Sequence, residues 1–166
     1  IVEKAGVAKG TFYLYFTDKY DIRNKLVSHK ATELFASAEE AMEHAEGVCS
    51  FEDKMVFIID HIIDELNSNK SLLGFISKNL GWGVFKSALH LPPEDDGPDF
   101  YSKYLATVKA DQTQYQDPEV MLFTIIELTS STCFNSILHG EPLSIEEYKP
   151  HLYRSIRAII REYAVK

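Results

Sequence analysis

Cysteine is scarce in this chain. There are two, Cys49 and Cys133, far apart and without C-x-x-C spacing. That leaves no basis for a disulfide framework or a thiolate metal site, and it suits a reducing, cytoplasmic setting. No run alternates polar and apolar residues with period two, so half-buried strands are not expected. No uncharged run approaches the ~20 residues of a membrane span. The longest such run, residues 128–138, is interrupted by Ser and Thr. No signal-like segment is present, and no membrane partner is expected. The P-loop, GxGxxG, GxSxG and HExxH patterns are all missing, which argues against an enzyme. Glu40 with His44 and His61 with Glu65 sit at i, i+4 and could each set two ligands on one helix face. The Glu-x-x-His pair of di-iron bundles is absent, however, and no metal or cofactor is expected. Cys133 reads as a small buried hydrophobe rather than a nucleophile.

Positive charge is also in short supply. The formal net charge is −8, at first sight a poor match for nucleic acid. The distribution changes that reading. Residues 1–30 carry Lys4, Lys9, Lys19, Arg23, Lys25 and Lys30 against Glu3, Asp18 and Asp21, a net +3, which leaves −11 for the remainder. A basic head on an acidic body is the charge pattern of a DNA reader.

The head also carries a motif. Residues 1–16, IVEKAGVAKGTFYLYF, read as a helix end, a tight turn and a short second helix. This is the latter half of a helix-turn-helix. Gly6 falls where the first helix must stop, a position that often needs positive φ. Ala5 is small enough for a close crossing, and Val7 is an apolar plug for the turn. Ala8, Phe12 and Phe16 recur at i, i+4, i+8 and share a face. Lys9 and Tyr13 lie beside Gly10 and Leu14 on the opposite face. Ammonium and hydroxyl groups there suit phosphates, glycine allows close approach, and an apolar tip suits a thymine methyl.

Continued by Thr17-Asp18-Lys19-Tyr20-Asp21-Ile22, this stretch resembles the TetR-type (tetracycline-repressor-like) family of transcriptional regulators, whose pattern is roughly A-G-V-S-K-G-T-x-Y-x-Y-F-x-S-K-x-x-L. Ala5-Gly6-Val7, Lys9-Gly10-Thr11, Tyr13, Tyr15-Phe16 and Lys19 match in register. Ala8 replaces the usual Ser, so the reading helix lacks that side-chain cap. Asp18 replaces a second Ser and can itself cap the next helix. The motif covers about the first 30 residues. The resemblance implies phosphate contacts from Lys9, Thr11, Tyr13, Tyr15 and Lys19, with Gly10 and Leu14 near base edges. It further implies an all-α fold, with a DNA-binding unit over residues 1–30 and an effector-binding and dimerisation body over residues 31–166. A unit of this type needs a preceding helix over Phe12, Phe16 and Ile22. The chain opens on Ile1 rather than Met, so an upstream first helix is expected.

Beyond the head the pattern is helical throughout. Asp18 opens a long helix to about Ala45, with Ile22, Leu26, Leu34 and Phe35 apolar and Gly47 as its break. A second helix, from about Phe51 to Leu66, carries a wide apolar stripe of Phe51, Met55, Ile58, Ile59, Ile62, Ile63 and Leu66. A third, Ser71 to Leu89, is interrupted at Gly81-Trp82-Gly83. Residues 91–98 are the clear loop. Asp99 to about Gln114 follows, with Phe100, Tyr104, Leu105 and Val108 inward. Asp117-Pro118 reads as an N-cap and N1 proline before a long apolar helix ending at His139-Gly140. Ser144 and Glu147 form a capping box for the last helix, to about Val165.

The helix from Pro118 is apolar over most of its circumference and needs cover on two sides. Small residues from Thr129 to Cys133 would permit close helix approach. In the resembled family the last two helices build a four-helix homodimer interface, which is expected here. Glu127 in that apolar helix calls for a partner such as Arg154, Arg157 or Arg161, or else anchors an effector. His61 reads as a satisfied histidine lining a core or pocket. With Phe57, Trp82, Phe85, Tyr101, Tyr104, Phe123 and Glu127 it forms the candidate lining of an effector site, favouring an apolar or aromatic small molecule. The expected function is a ligand-responsive repressor bound to a double-stranded DNA operator. The alternative is a helical small-molecule binding or sensor protein that does not bind DNA.

Overall fold

The computed structural model describes residues 4, 6, 8–79, 82–90 and 99–165, without the side chains of Lys9, Phe12 and Asn79. Several expectations fall outside the described residues: Ala5, Val7, the side chains of Lys9 and Phe12, Gly81 and the loop over 91–98. Among the described residues there are eight α-helices and no β-strand. They are α1 (Lys9–Tyr15), α2 (Lys19–Glu43), α3 (Phe51–Ser68), α4 (Lys70–Asn79), α5 (Trp82–Leu89), α6 (Phe100–Ala110), α7 (Pro118–His139) and α8 (Ile145–Glu162).

Local chemistry sets most of the boundaries. The Asp18 carboxylate accepts from the backbone N–H groups of Tyr20 and Asp21 and starts α2. Gly47 takes φ +80, which glycine adopts at no steric cost. Ser50 and Asp53 cap α3 reciprocally, and Ser144 and Glu147 do the same for α8. Gly140 ends α7 in the left-handed region with φ +66.

Two ends differ from expectation. The helix from residue 99 stops at Ala110 rather than near Gln114, because Asp111 turns its carboxylate to Thr113 N and to Phe51 N. Asp117 precedes Pro118 as foreseen, but it sits at φ +43 and its side chain makes no cap bond. The last helix stops at Glu162. Beyond it the backbone pairs with the segment ahead of α7, through Gln116 N to Tyr163 O at 2.9 Å and Val165 N to Gln114 O at 2.8 Å.

The core runs through the bundle from α2 to α8, with α3 packed against α2, α4, α7 and α8. Leu152, Ile156 and Ile160 recur every fourth residue on α8 and are fully buried, as are Met121 and Ile125 of α7. α7 is long and apolar enough to cross a bilayer by composition alone, yet this inward face is packed as protein core. A ladder of ion pairs joins α3 to α8. Arg157 Nη2 lies 2.8 Å from Asp53, Arg161 Nε 2.9 Å from Glu52, and Lys149 Nζ 2.8 Å from Asp60. Lys149 also pairs with Asp64, and the Tyr153 hydroxyl donates to Asp60. Burial alone would lower the Lys149 pKa, but the hydrogen bonds it donates to Asp60 and Asp64 outweigh that and hold it above the usual lysine range.

α2 runs unbroken through residues 30 and 31, where the head was expected to end. Its 25 residues span about 37 Å. Its middle docks on α5 through small polar side chains: Ser28 Oγ donates to Val84 O at 3.3 Å, and Thr32 Oγ1 to Ala88 O at 3.2 Å. Toward its N-terminal end Leu26, expected inward, is 49 % exposed, because no described element covers that face.

Candidate functional site

Two regions bear on function: the N-terminal helix pair and a cavity in the bundle. In the first, Lys4 is helical, Gly6 turns the chain at φ +67, and α1 follows. A side chain at Gly6 would be strained at that φ, which accounts for glycine there. Gly10 and Thr11 are exposed. Tyr13, Leu14 and Tyr15 are 58 %, 82 % and 69 % exposed, an unusual run of large side chains facing solvent. Gly10 has open space where a Cβ would stand, so the backbone can be approached closely there. Ala8, expected on the inward face with Phe16, is exposed, while Phe16 is half-buried.

α1 is tied to α2 by charge. Lys25 Nζ donates to Tyr15 O at 2.9 Å, pairs with Asp21 at 3.3 Å and lies over the Phe16 ring. Asp21 accepts from Thr17 N, and this bond, helped by Lys25, holds its carboxyl below the usual carboxylate range. Lys19 is exposed, with its ammonium 5.1 Å from the Tyr20 ring. The result is a short exposed helix held at a set angle to a long one, with cations and hydroxyls around it.

The second region is a cavity of about 440 Å³ enclosed by α2, α3, α4 and α7, with Phe85 and Phe100 closing one side. The apolar stripe of α3 is its main wall: Met55, Ile58, Ile59, Ile62, Ile63 and Leu66. The wide stripe seen in the sequence is therefore shared between core and cavity. α2 contributes Ala31, Leu34 and Phe35 to the same wall.

Of the eight candidate effector residues, Phe85 alone lines this cavity. Trp82, Tyr101 and Phe123 gather instead along a shallow outer groove with Leu105 and Val120, where Trp82 meets Phe123 edge-on at 4.7 Å. Tyr104 is buried beneath them and donates to Pro118 O at 2.8 Å; burial raises its pKa. Phe57 stacks on His61 at 6.5 Å. His61 Nε2 lies 2.9 Å from Ser37 Oγ and 3.0 Å from Glu65 Oε1, and the Ser37 hydroxyl donates to Glu65. Both contacts fall on one ring nitrogen, whereas base-assisted nucleophilic catalysis uses both. The cluster thus braces α2 against α3. Glu127 is exposed on α7, and the arginines considered for it pair elsewhere or stay free of it: Arg157 and Arg161 with Glu52 and Asp53, and Arg154 in solvent. The premise that Glu127 is buried within the chain does not hold.

Thr129, read from its size as a close-contact residue, turns into the cavity, and its hydroxyl is buried without a hydrogen-bond partner. Its neighbours Thr124 and Thr132 both donate to the carbonyl four residues back. This hydroxyl and the isoleucine wall carry no ring, so ring size in the sequence does not point to them. Among the described residues no three His, Cys, Asp or Glu side chains gather as a metal-holding group.

The helix pair with its exposed short helix is the reading half of a DNA-binding helix-turn-helix. Residues 1–26 match the family model for bacterial regulatory proteins, tetR family. That match covers the N-terminal helix-turn-helix and supports a DNA-binding unit of the tetR type at the head of the chain. No curated protein matches the chain.

Proposed function

We propose that the protein is a ligand-responsive repressor that binds a palindrome-like operator as a homodimer. The head, residues 1–30, would contact phosphates through Lys9, Thr11, Tyr13, Tyr15 and Lys19 and approach base edges with Gly10 and Leu14. The body, residues 31–166, would take a small effector and pair through α7 and α8, in a cytoplasmic setting. Two heads would enter successive major grooves about 34–36 Å apart.

One observation carries the responsive part of this reading. α2 both holds α1, through Lys25 and Tyr15, and walls the cavity, through Ala31, Leu34 and Phe35. A ligand that favours one placement of α2 favours one spacing of the heads, and it shifts the population only by its difference in affinity for the two. Filling the cavity from its far side tests this. Ile125→Trp places an indole in the cavity without touching α1. Operator affinity should change several-fold in either direction while the helical signal is retained. An affinity unmoved by this variant, and by every ligand found to bind the body, would refute the coupling.

A further inference from the structure

The lining of the cavity selects a ligand class, and this inference rests on reading the cavity as a binding site. We propose that it takes a linear aliphatic amphiphile with one anionic end, such as a medium- or long-chain carboxylate, with the chain inside the bundle and the head at the mouth beside Lys78.

The lining is sorted by depth. Every lining residue that is exposed is polar: Ser77 and Lys78 of α4, and Ser130, Ser131 and Asn135 of α7. Every aliphatic or aromatic one is buried or half-buried. The cavity is thus an apolar chamber with a polar rim, and that rim holds the one charged residue among its described lining, Lys78. Among the described residues no carboxylate lines it, so a cationic ligand would find no countercharge in that lining. Deeper in, an ionised group would lose its hydration with no charge to replace it, which confines an anionic end to the rim.

The choice of an alkyl chain over a planar ring follows from where the aromatic faces point. Phe35 stacks on Phe100 at 4.2 Å and 20°, and meets Phe85 edge-on at 5.6 Å. Phe85 in turn lies face to face with Trp82 at 6.0 Å. These rings are partnered with one another. The walls left for a ligand are mainly the branched side chains of α3 and α7, which suit a flexible chain. Among the described lining residues Thr129 alone has a buried hydroxyl without a hydrogen-bond partner, and it stands on the α7 wall directly before Ser130 and Ser131 of the rim. A carboxylate at the rim gives its hydroxyl an acceptor.

Titration calorimetry below micellar concentrations tests the class. The probes are saturated carboxylates of eight to sixteen carbons, the matching primary alcohols, the matching alkyltrimethylammonium ions, and naphthalene carboxylates. Carboxylate affinity should rise about fourfold per added methylene until the chamber is full. The ammonium ions should bind at least about tenfold more weakly than carboxylates of equal length. Lys78→Glu should weaken the carboxylates about fivefold and leave the alcohols within a factor of two. Ammonium ions equal to carboxylates, naphthalene carboxylates tighter than alkyl ones, or carboxylate and alcohol responding alike to Lys78→Glu would each overturn the ligand class while leaving the cavity a binding site. Failure of every probe, or binding indifferent to Ile125→Trp, would remove the binding-site reading itself, and the class with it.

Discussion

Lys25 Nζ donates to the backbone carbonyl of Tyr15 at 2.9 Å, so the end of the short exposed helix is fastened to the second turn of the long one. The last carbonyls of a helix have no partner within it, and a cation is a favoured one. Lys25 also meets Asp21, whose carboxylate in turn holds Thr17 N. The turn between the two helices is thereby closed from both sides.

Lys25→Ala should therefore loosen α1 without reaching the bundle. Operator affinity is expected to drop about fivefold, with no change in the cooperative thermal transition of the body. Fluorescence anisotropy on a labelled duplex and a thermal melt check the two halves. A melt lowered in step with affinity would show that Lys25 supports the whole fold instead.

Lys19 is expected to act on phosphate alone. Lys19→Ala should weaken binding to all duplexes alike and reduce the slope of log affinity against log salt by about one. Discrimination between sequences that changes with the slope intact would assign Lys19 to base reading.

The assembly prediction rests on the outer face of α8, where His151, Arg154, Ser155 and Ala158 are exposed and Ala158 is small and apolar. Thr129 is unsuitable as a probe because it faces the cavity. Ala158→Arg adds a cation beside Arg154, Arg157 and Arg161, and across a two-fold axis it would face its own copy. Sedimentation should show a dimer for the wild type at micromolar concentration and a monomer for the variant, with operator affinity reduced at least about tenfold. A monomeric wild type would end the dimer proposal.

The two thiols report on the cavity. Cys49 is exposed, whereas burial pushes the Cys133 thiol up to about 11, and Cys133 lines the cavity. At pH 8 a disulfide-exchange reagent should label Cys49 first and Cys133 about a hundredfold more slowly. A bound chain in the cavity should slow Cys133 further and leave Cys49 unchanged. Equal rates for the two would contradict the placement of Cys133.

Acid should loosen the seam between α3 and α8. The hydrogen bond from Ser50, with that from Arg157, holds the Asp53 carboxyl below its usual value. A depressed folded-state value means the stabilisation is complete above the unfolded value near 3.9 and is lost as pH falls through the folded one. The melting temperature should thus be level above about pH 5 and fall below pH 4. Asp53→Asn should lower it by about 3 °C at neutral pH and flatten the acid limb.

Helix starts at Asp18, Asp99 and Ser144 were legible in the sequence, because a cap is a local event between residues a few positions apart. The early end of α6 was not, since it depends on Asp111 bonding Phe51 N, sixty residues away along the chain. The head was legible because glycine at positive φ, exposed tyrosines and flanking lysines occupy fixed offsets. The cavity was hidden for a physical reason. Ile58, Ile59, Ile62 and Ile63 have the same spacing whether they meet a neighbouring helix or an empty volume, and ring size points instead to Trp82 and Tyr104. Two signals were available: an α3 stripe too wide for one neighbour, and a threonine on the apolar side of α7.

Selection of duplexes from a random pool by the protein, followed by anisotropy across salt concentrations, decides whether the head reads DNA as a pair. The expected result is an enriched inverted repeat with half-sites one helical turn apart, and an affinity that falls steeply with salt. Enrichment of no sequence, or of a lone half-site bound without salt dependence, would contradict a paired DNA reader.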